Sequence, residues 1–431
     1  MKVGVLGFGN VAAATVGSFV ANEALIRAKT RTPIQFVRVA TRTPARAEGR
    51  LPEACVVSND CWGLVDDSQV DVVLELTGDV PLARQLVLRA LSNRKHVVTA
   101  NKALLANHGE EIMALAEEVG RNVLFEGAVA VSIPIIKTLR ESAAANNISS
   151  VTGILNGTSN YVLSQMSEHD ADFAGALAEA QRKGYAEADP TLDVSGEDAA
   201  HKLTLLASLS FGVPIHFASV QIKGIQNIDP VDIGFAKRLG YQIKLIAQAV
   251  MEPEGLNVGV QPMLVPMTSL LAQVSDSMNG IALHGDLLGS AFLYGSGAGG
   301  RQTSSAVLAD LIELTNLGGA RVESGAYNMG FRHGHRKAEV VRYTRERVGA
   351  FYIRLRLDDK AGVLAGVSAV LAQAGVSVNA LLQDEGQHEQ SDMIVITHDI
   401  HSGQLNKMLP GLSEAAGAGH SVAIYPVLGS H

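Results

Sequence analysis

The 431-residue sequence is poor in cysteine and in aromatic residues, and it has no excess of positive charge. Its two cysteines, Cys55 and Cys61, are too few for a disulfide framework and match no zinc-site spacing. The 35 Lys and Arg residues against 43 Asp and Glu give a net charge of −8, which disfavours a basic surface for nucleic acid. No uncharged apolar run reaches the ~18 residues of a transmembrane helix.

The chain starts directly in strand-like residues, and no signal peptide is predicted. We therefore expect a cytoplasmic protein with reduced thiols and with no nucleic-acid or membrane partner. Hydrophobic residues make up 47% of the chain and charged residues 18%, which is typical of large buried cores. At roughly 100–200 residues per domain, this length predicts two to four domains.

Strands and helices alternate through the first ~125 residues, a pattern that favours an α/β fold with a doubly wound parallel sheet. Strand-like segments start near Val3, Val37, Val70 and His96. Helices are predicted between them, at Ala13–Ala28, Pro81–Ser92 and Gly109–Glu118. Glycine is also frequent, at 43 residues, without a collagen period, so these glycines are expected in turns and close backbone approaches.

The segment Gly7–Ala12 has the form G-x-G-x-x-A, directly after the first strand and at the start of a helix. In this setting Gly7 permits a tight turn and Gly9 lets the backbone approach a pyrophosphate, while Ala12 stands at the third glycine position. The helix N-terminus would attract the phosphates. The segment predicts a dinucleotide site, with a plain βα turn as the alternative.

The end of the second strand bears on the choice of dinucleotide. NAD sites usually carry an acidic residue there for the ribose 2′-hydroxyl, but this chain has Ala40-Thr41-Arg42-Thr43. Arg42, helped by Arg46, could pair with a 2′-phosphate. We therefore predict that NADP(H) is favoured over NAD(H), with a simple surface charge at Arg42 as the alternative.

Two lysines and a group of carboxylates are candidates for catalysis. Lys102 follows the strand His96–Ala100 at its carboxyl end, where open α/β sheets bind ligands. Asp198 and Lys202 are four residues apart at the start of a predicted helix, so they share one helix face. That helix is predicted over Ala199–Ser210, with one apolar side. Such groups suit the binding of an amino group and the movement of a hydroxyl proton. The preceding loop adds three carboxylates, Glu187, Asp189 and Asp193. A solvated loop lysine and an ordinary surface ion pair are the alternatives.

The last ~80 residues predict the order βαββαβ, a ferredoxin-like unit. A polar stretch from Gly318 to Arg347 precedes it. Metal binding by His333 and His335 within that stretch is conceivable, but a solvated linker is the preferred interpretation.

Four segments together resemble the homoserine dehydrogenase family: Gly7-x-Gly9, Thr99–Lys102, Gly153–Tyr161 and Gly184–Pro190. The resemblance covers nearly the whole chain, and the last two segments are its most specific part. The segment Asp359–Leu364 resembles an ACT domain, a small βαββαβ module that senses amino acids. The implied activity is the NAD(P)-dependent interconversion of L-aspartate 4-semialdehyde and L-homoserine, in threonine and methionine biosynthesis.

The resemblance also implies the domain organisation. Residues 1–130 would form an NAD(P)-binding Rossmann domain, completed by about residues 300–330. Residues 131–300 would form a central α/β catalytic and dimerisation domain with a mixed sheet. A linker at 331–349 would lead to an ACT regulatory domain at 350–427.

The roles of the site residues follow from the same resemblance. Lys202 matches the acid/base lysine, Lys102 a second active-site lysine near the nicotinamide, and Asp198 a catalytic-site acid. The implied substrate contacts are Glu187, which would hold the amino group, together with Asp193, Thr158 and Tyr185. The predicted cofactor contacts are Gly7, Phe8, Gly9, Asn10, Val11, Arg42, Thr77, Lys102 and, in a late glycine-rich turn, Gly299.

The resemblance further implies a monovalent cation such as Na⁺, bound by main-chain oxygens. The implied carbonyl donors are those of Glu126, Val129, Val131 and Ile133. The chain departs from the family here, because Ala130-Val131-Ser132 stand where glycines are usual.

The ACT resemblance implies feedback inhibition by L-threonine at the turn Gly362–Leu364, with a purely oligomerising domain as the alternative. A homodimer or homotetramer is expected. Two other functions remain open from the sequence alone. One is another NADP-dependent dehydrogenase of a small amino acid or semialdehyde, and the other is a non-catalytic, amino-acid-sensing Rossmann protein.

Overall fold

A computed structural model describes residues 1–52, 54–317, 328–331, 343–384, 390–417 and 421–429. The strands in these ranges are β1 (Lys2–Leu6), β2 (Gln35–Ala40), β3 (Val56–Ser58), β4 (Val72–Glu75), β5 (His96–Thr99), β6 (Val123–Leu124), β7 (Ile148–Ile154), β8 (Gln221–Ile222), β9 (Tyr241–Glu252), β10 (Gly255–Pro266), β11 (Met278–Gly285), β12 (Gly289–Ser296), β13 (Tyr343–Thr344), β14 (Val348–Gly349), β15 (Phe351–Asp358), β16 (Val378–Gln383), β17 (Gln390–Thr397), β18 (Ile400–His401) and β19 (Val422–Pro426).

The helices in the same ranges are α1 (Asn10–Ala21), α2 (Glu23–Lys29), α3 (Cys61–Asp66), α4 (Val80–Ser92), α5 (Lys102–Val119), α6 (Ile135–Lys137), α7 (Gly157–Glu168), α8 (Phe173–Arg182), α9 (Thr191–Val194), α10 (Glu197–Phe211), α11 (Pro230–Arg238), α12 (Gly300–Asn316), α13 (Val363–Gln373) and α14 (Ser402–Ala416). None of these helices is both long and apolar enough to cross a membrane.

The chain divides into two compact units, each built from three stretches of sequence. The first unit contains Met1–Val151, Asp198–Val220 and Met278–Val341. The second contains Thr152–Glu197, Gln221–Ser277 and Arg342–His431.

The first unit is built on a six-stranded sheet with the order β3-β2-β1-β4-β5-β6. Every neighbouring pair in this sheet is parallel. This is the strand order of dinucleotide-binding folds, in which ligands bind at the carboxyl ends of the central strands. The predicted doubly wound parallel sheet is therefore confirmed.

The core of this sheet includes a helix from far along the chain. Val307 and Leu311 of α12 are fully buried in the same apolar cluster as Val3 and Val5 of β1. The hydroxyls of Ser18 in α1 and Ser304 in α12 are 3.0 Å apart. The helix α12 thus packs beside α1 against the Rossmann sheet.

Three predicted helices differ from those observed. The predicted helix Ala13–Ala28 is broken at Asn22, whose side-chain amide donates to the carbonyl of Ser18 at 3.0 Å, a local bond that competes with helix continuation. The helix predicted to start at Gly109 starts at Lys102, because Asn101 caps it. The helix α10 is not apolar on one face only, since Asp198 and every residue after it in the helix are buried.

The second unit contains a mixed sheet, as expected. Strand β10 pairs with β9 in antiparallel fashion and with β8 and β13 in parallel fashion. The C-terminal residues form a separate four-stranded sheet in the order β16-β17-β15-β19, and all of its neighbouring pairs are antiparallel. With α13 and α14, the element order is βαββαβ, as the sequence predicts.

A buried carboxylate connects this C-terminal sheet to α11. Asp232 is fully buried and accepts hydrogen bonds from Nε of Arg354 at 2.7 Å and from the hydroxyl of Tyr352 at 2.9 Å. The hydroxyl of Tyr425 is 3.3 Å from its second oxygen. Burial, together with Asp232, raises the pKa of both tyrosines, so both remain hydrogen-bond donors at neutral pH.

The structure describes the two cysteines but only part of the predicted linker. The proposed linker lies largely at residues 332–342, outside the described residues, and so do His333 and His335. Cys55 and Cys61 are free thiols. Burial raises the pKa of Cys55 to about 11, which is consistent with an unreactive thiol.

The half-buried His96 at the start of β5 generates a prediction about stability. Its Nδ1 accepts the N–H of Asn122 at 3.0 Å, and burial, followed by Arg121, lowers its pKa to about 4. The unfolded chain binds this proton near pH 6.5, so the stability that the neutral ring provides is present above that pH. It is lost as the pH falls towards 4.

We expect His96→Asn, which can keep an acceptor for Asn122, to lose less stability than the wild type between pH 7 and 4.5, by about 2 kcal/mol. Urea unfolding at the two pH values measures this difference. The exposed His169 provides the control, and His169→Asn should follow the wild type. Equal losses in the wild type and His96→Asn would contradict the prediction.

Candidate active site

The turn after β1 is shaped by two glycines. Gly7 has φ +83°, and a Cβ on it would lie 2.8 Å from the carbonyl oxygen of Leu76, so a larger residue would be strained there. Gly9 is the N-cap of α1, and a Cβ on it would meet no atom within 4 Å. The backbone at Gly9 is therefore open to a phosphate at the positive end of α1.

The other predicted residues of this segment differ in accessibility. Asn10 is exposed and Val11 is half-buried at the first turn of α1. The ring of Phe8 is only 4% exposed and belongs to the apolar core. A cofactor at this turn could meet Phe8 through its backbone, while the side chain serves the fold.

A second helix N-terminus lies beside the first. Gly299 has φ +123° and caps α12, and its carbonyl accepts the hydroxyl of Thr303 at 2.8 Å. A Cβ on Gly300 would lie 3.5 Å from the carbonyl oxygen of Asn10. The late glycine-rich turn thus lies close to the dinucleotide turn, and both helices direct their positive ends to this region.

Arg42 lies two residues beyond the end of β2. Its side chain is exposed, as is that of Arg46, in the short helical turn Pro44–Arg46. Both guanidinium groups are therefore accessible to a ligand at this edge of the sheet.

One carboxylate connects the two lysines that the sequence singles out. Oδ2 of Asp198 is 2.7 Å from Nζ of Lys202, one turn along α10, and Oδ1 is 3.1 Å from Nζ of Lys102. The side chains of Asp198 and Lys202 are 11% and 10% exposed, whereas that of Lys102 is 37% exposed. The alternative that Asp198 and Lys202 form an ordinary surface ion pair is therefore wrong.

Lys102 is held by the start of α5. Asn101 is the N-cap, and its Oδ1 accepts the N–H of Leu104 at 3.0 Å. Because the helix begins at Lys102, this lysine is not a solvated loop residue. The cap determines where its side chain leaves the backbone.

Glu75, the last residue of β4, was not among the predicted site residues. It is fully buried, and one of its oxygens accepts both the N–H and the hydroxyl of Thr77, at 2.8 and 2.7 Å. Thr77 is thus fixed at the sheet edge by Glu75. The available signal was a glutamate at the end of an otherwise apolar strand, Val72-Val73-Leu74-Glu75.

In the second unit, the predicted substrate residues belong to two neighbouring segments. The hydroxyl of Thr158 donates to the carbonyl of Tyr185 at 2.7 Å. Asn156 caps α7 and donates to Oδ1 of Asp193 at 2.7 Å. Thr158 is thus bonded to Tyr185, and Asp193 to Asn156, which was not among the predicted site residues.

Glu187 lies on the same loop, with an exposed side chain. The neighbouring Asp189 accepts the hydroxyl and the N–H of Thr191, at 2.6 and 3.1 Å, which lowers its pKa. Asp189 therefore shapes the loop, and Glu187 is accessible to a ligand.

The predicted cation loop is a tight turn in the first unit. Ala130 has φ +46°, and its carbonyl accepts the N–H of Ile133 at 2.6 Å. This left-handed conformation favours glycine, so the backbone at Ala130 is strained. Val129 and Ile133 are buried and Val131 is half-buried.

Glu126 supports this loop through its side chain. Its carboxyl oxygens accept the N–H groups of Ile136 and Lys137 at 3.1 and 3.0 Å, and burial raises its pKa to about 7. In the described part of the chain, no cluster of three or more His, Cys, Asp or Glu side chains could hold a metal ion.

Comparison with known proteins identifies the family. A model of the homoserine dehydrogenase family matches residues 134–312, and a model of the homoserine dehydrogenase NAD-binding domain matches residues 7–126. The chain is 38% identical to the homoserine dehydrogenase of Pseudomonas aeruginosa, over 97% of this chain and 96% of the relative. The chain belongs to the homoserine dehydrogenase family.

Solved structures agree with this assignment. The homoserine dehydrogenase from Thiobacillus denitrificans has a TM-score of 0.93 and 38% identity, over 99% of this chain and 98% of that chain. A hyperthermophilic archaeal homoserine dehydrogenase in complex with NADPH has a TM-score of 0.61 and 25% identity, over 73% of this chain and 98% of that chain. The chain is thus an NAD(P)-dependent oxidoreductase, and the non-catalytic alternative is wrong.

Proposed function

We propose that the chain interconverts L-aspartate 4-semialdehyde and L-homoserine, that it prefers NADP(H) to NAD(H), and that Lys202, Lys102 and Asp198 are its catalytic residues. The observation that carries the proposal is the carboxylate of Asp198, with one lysine on each oxygen at 2.7 and 3.1 Å. Two ammonium groups held by one buried carboxylate suit a reaction in which an oxygen gains negative charge.

The bound nicotinamide supplies the hydride for aldehyde reduction and accepts it in alcohol oxidation. In reduction, the Lys202 ammonium gives a proton to the developing alkoxide, and in oxidation the neutral amine takes it back. Lys102 stabilises the negative charge on the same oxygen. Asp198 holds both lysines in place.

Four further residues are proposed to bind the amino-acid part of the substrate. Glu187 binds the α-amino group through its exposed carboxylate. Asp193, Thr158 and Tyr185 provide further contacts, and the hydrogen bonds of these three support the assignment.

The catalytic assignment is tested by NADP⁺ reduction driven by L-homoserine. In Lys202→Ala we expect kcat to fall about 100-fold or more, as for loss of a general acid or base, with little change in the Kd for NADP⁺. Lys237→Ala, at an exposed lysine, is the control and should retain full activity. Equal kcat in the wild type and Lys202→Ala would refute the assignment.

The NADP preference is supported by the exposed Arg42 and Arg46 beyond β2 and by the NADPH bound to the archaeal relative. In Arg42→Ala, the KM for NADPH should rise on the order of tenfold, because charge-assisted hydrogen bonds to the 2′-phosphate are lost. The KM for NADH should not change, and Arg50→Ala should resemble the wild type. A preference for NADH in both the wild type and Arg42→Ala would contradict this proposal.

The carbonyls of Glu126, Val129, Val131 and Ile133 are proposed to bind a monovalent cation such as Na⁺. The tight turn at Ala130 brings main-chain oxygens into a short, largely buried loop. Hard oxygen donors of this kind suit such a cation.

The C-terminal βαββαβ unit is proposed to be an ACT domain that binds L-threonine. Gly362 caps α13 with φ +97°, and a Cβ on it would meet no atom within 4 Å. The first turn of α13 is therefore accessible to the carboxylate of an amino acid.

Titration of homoserine oxidation with L-threonine tests this regulation. Inhibition is expected at millimolar L-threonine, with D-threonine as a control that should have no effect. Activity that is unchanged by L-threonine would favour the alternative, a domain that serves oligomerisation only.

The chain is also proposed to form a homodimer or homotetramer. The β11–β12 hairpin supports this, because it exposes apolar side chains: Leu287 is 74% and Tyr294 is 56% exposed. A cytoplasmic location stays a prediction from the sequence.

A further inference from the structure

Glu75 stands at the centre of the sheet edge on which the proposed site depends. Its strand, β4, lies between β1 and β5, and in the sheet register Glu75 is opposite Leu6 on one side and Thr99 on the other. Leu6 directly precedes the dinucleotide turn, and Thr99 comes three residues before Lys102. Glu75 therefore lies between the strand that ends at the dinucleotide turn and the strand that leads to Lys102.

The two oxygens of the Glu75 carboxylate accept hydrogen bonds from two different segments at this edge. One oxygen accepts the N–H and the hydroxyl of Thr77, at 2.8 and 2.7 Å, and the other accepts the hydroxyl of Thr99 at 2.7 Å. One oxygen therefore holds the loop after β4, and the other holds the last residue of β5, so a shift of either segment would change the hydrogen bonds of the other.

The bond to Thr99 continues to the catalytic lysine. The hydroxyl oxygen of Thr99 also accepts the N–H of Asn101 at 3.0 Å. Asn101 is the N-cap that starts α5 at Lys102, whose Nζ lies 3.1 Å from Asp198. An unbroken series of contacts thus leads from Glu75 to the Lys102–Asp198 pair.

The fold alone gives little reason for a glutamate at this position. The other residues of β4, Val72, Val73 and Leu74, are apolar and fully buried. A buried carboxylate costs desolvation free energy that another apolar residue would not. Its charge-assisted hydrogen bonds are, in return, stronger and more directional than neutral ones.

We propose that Glu75 is a positioning residue that sets the cofactor loop at Thr77 and, through Thr99 and Asn101, the start of α5 at Lys102. The inference rests on the proposed function for the roles of Thr77 and Lys102. The carboxylate of Glu75 is fully buried and acts through Thr77 and Thr99.

Two hydrogen-bonded branches start at Glu75: the Lys102 branch, which passes through Thr99, and the cofactor branch, which ends at Thr77. One threonine variant tests each branch. Thr99→Val removes the bond to the Lys102 branch, and kcat for homoserine oxidation should fall on the order of tenfold, with the Kd for NADPH unchanged. Thr77→Val removes the other branch and should raise the Kd for NADPH, measured by its fluorescence without substrate, on the order of tenfold. Glu75→Gln weakens both branches and should show both effects.

Thr315→Val is the matched control, because Thr315 is also buried and its hydroxyl donates only within α12, to Ile312 at 2.7 Å. It should lower the midpoint of thermal unfolding without changing kcat or the Kd for NADPH. The same pattern in Glu75→Gln and Thr99→Val would overturn the proposal and leave Glu75 a structural residue.

If Glu75→Gln does not fold, the two threonine variants decide between these outcomes. A wild type that fails to reduce NADP⁺ with homoserine would refute the proposed function instead. The Kd for NADPH in Glu75→Gln and Thr77→Val would then still test the cofactor branch, because that measurement needs no substrate.

Discussion

The parallel pairing of β1, β4 and β5 is the constraint on which the first unit depends. Because these strands run in the same direction, their carboxyl ends meet at one edge, and the three segments that follow them begin side by side. Gly7, Thr77 and Lys102 follow these three strands, and Lys102 is the first residue of α5. They are far apart in sequence, and the sheet register alone makes them neighbours.

The buried carboxylates of this molecule have different roles, which depend on the groups that donate hydrogen bonds to them. Asp198 pairs with the ammonium groups of Lys202 and Lys102, an arrangement suited to proton transfer. Glu75 accepts hydrogen bonds from hydroxyl and amide donors and thereby connects Thr77 with Thr99. Asp232 meets an arginine and two tyrosines and fastens α11 to the C-terminal sheet. The residue type is similar in each case, and the partners decide the role.

Local sequence patterns predicted what depends on local physics. The turn at Gly7 requires a positive φ, so the glycine could be interpreted without a structure. The i,i+4 spacing of Asp198 and Lys202 likewise predicted a shared helix face. The start of α5 was missed because it depends on the cap at Asn101, which is one polar residue among several in that segment.

The sequence by itself determined the Rossmann strand pattern, the dinucleotide turn, the βαββαβ order and the family resemblance. Each of these rests on residue types and spacings within short contiguous segments, which can be recognised without tertiary contacts. Only the tertiary structure decided that α10 is buried on all sides, that Lys102 shares Asp198 with Lys202, and that Glu75 bonds to Thr99 as well as to Thr77. These facts depend on contacts between segments distant in sequence, and burial and hydrogen-bond partners across such distances leave no periodic signal in the chain.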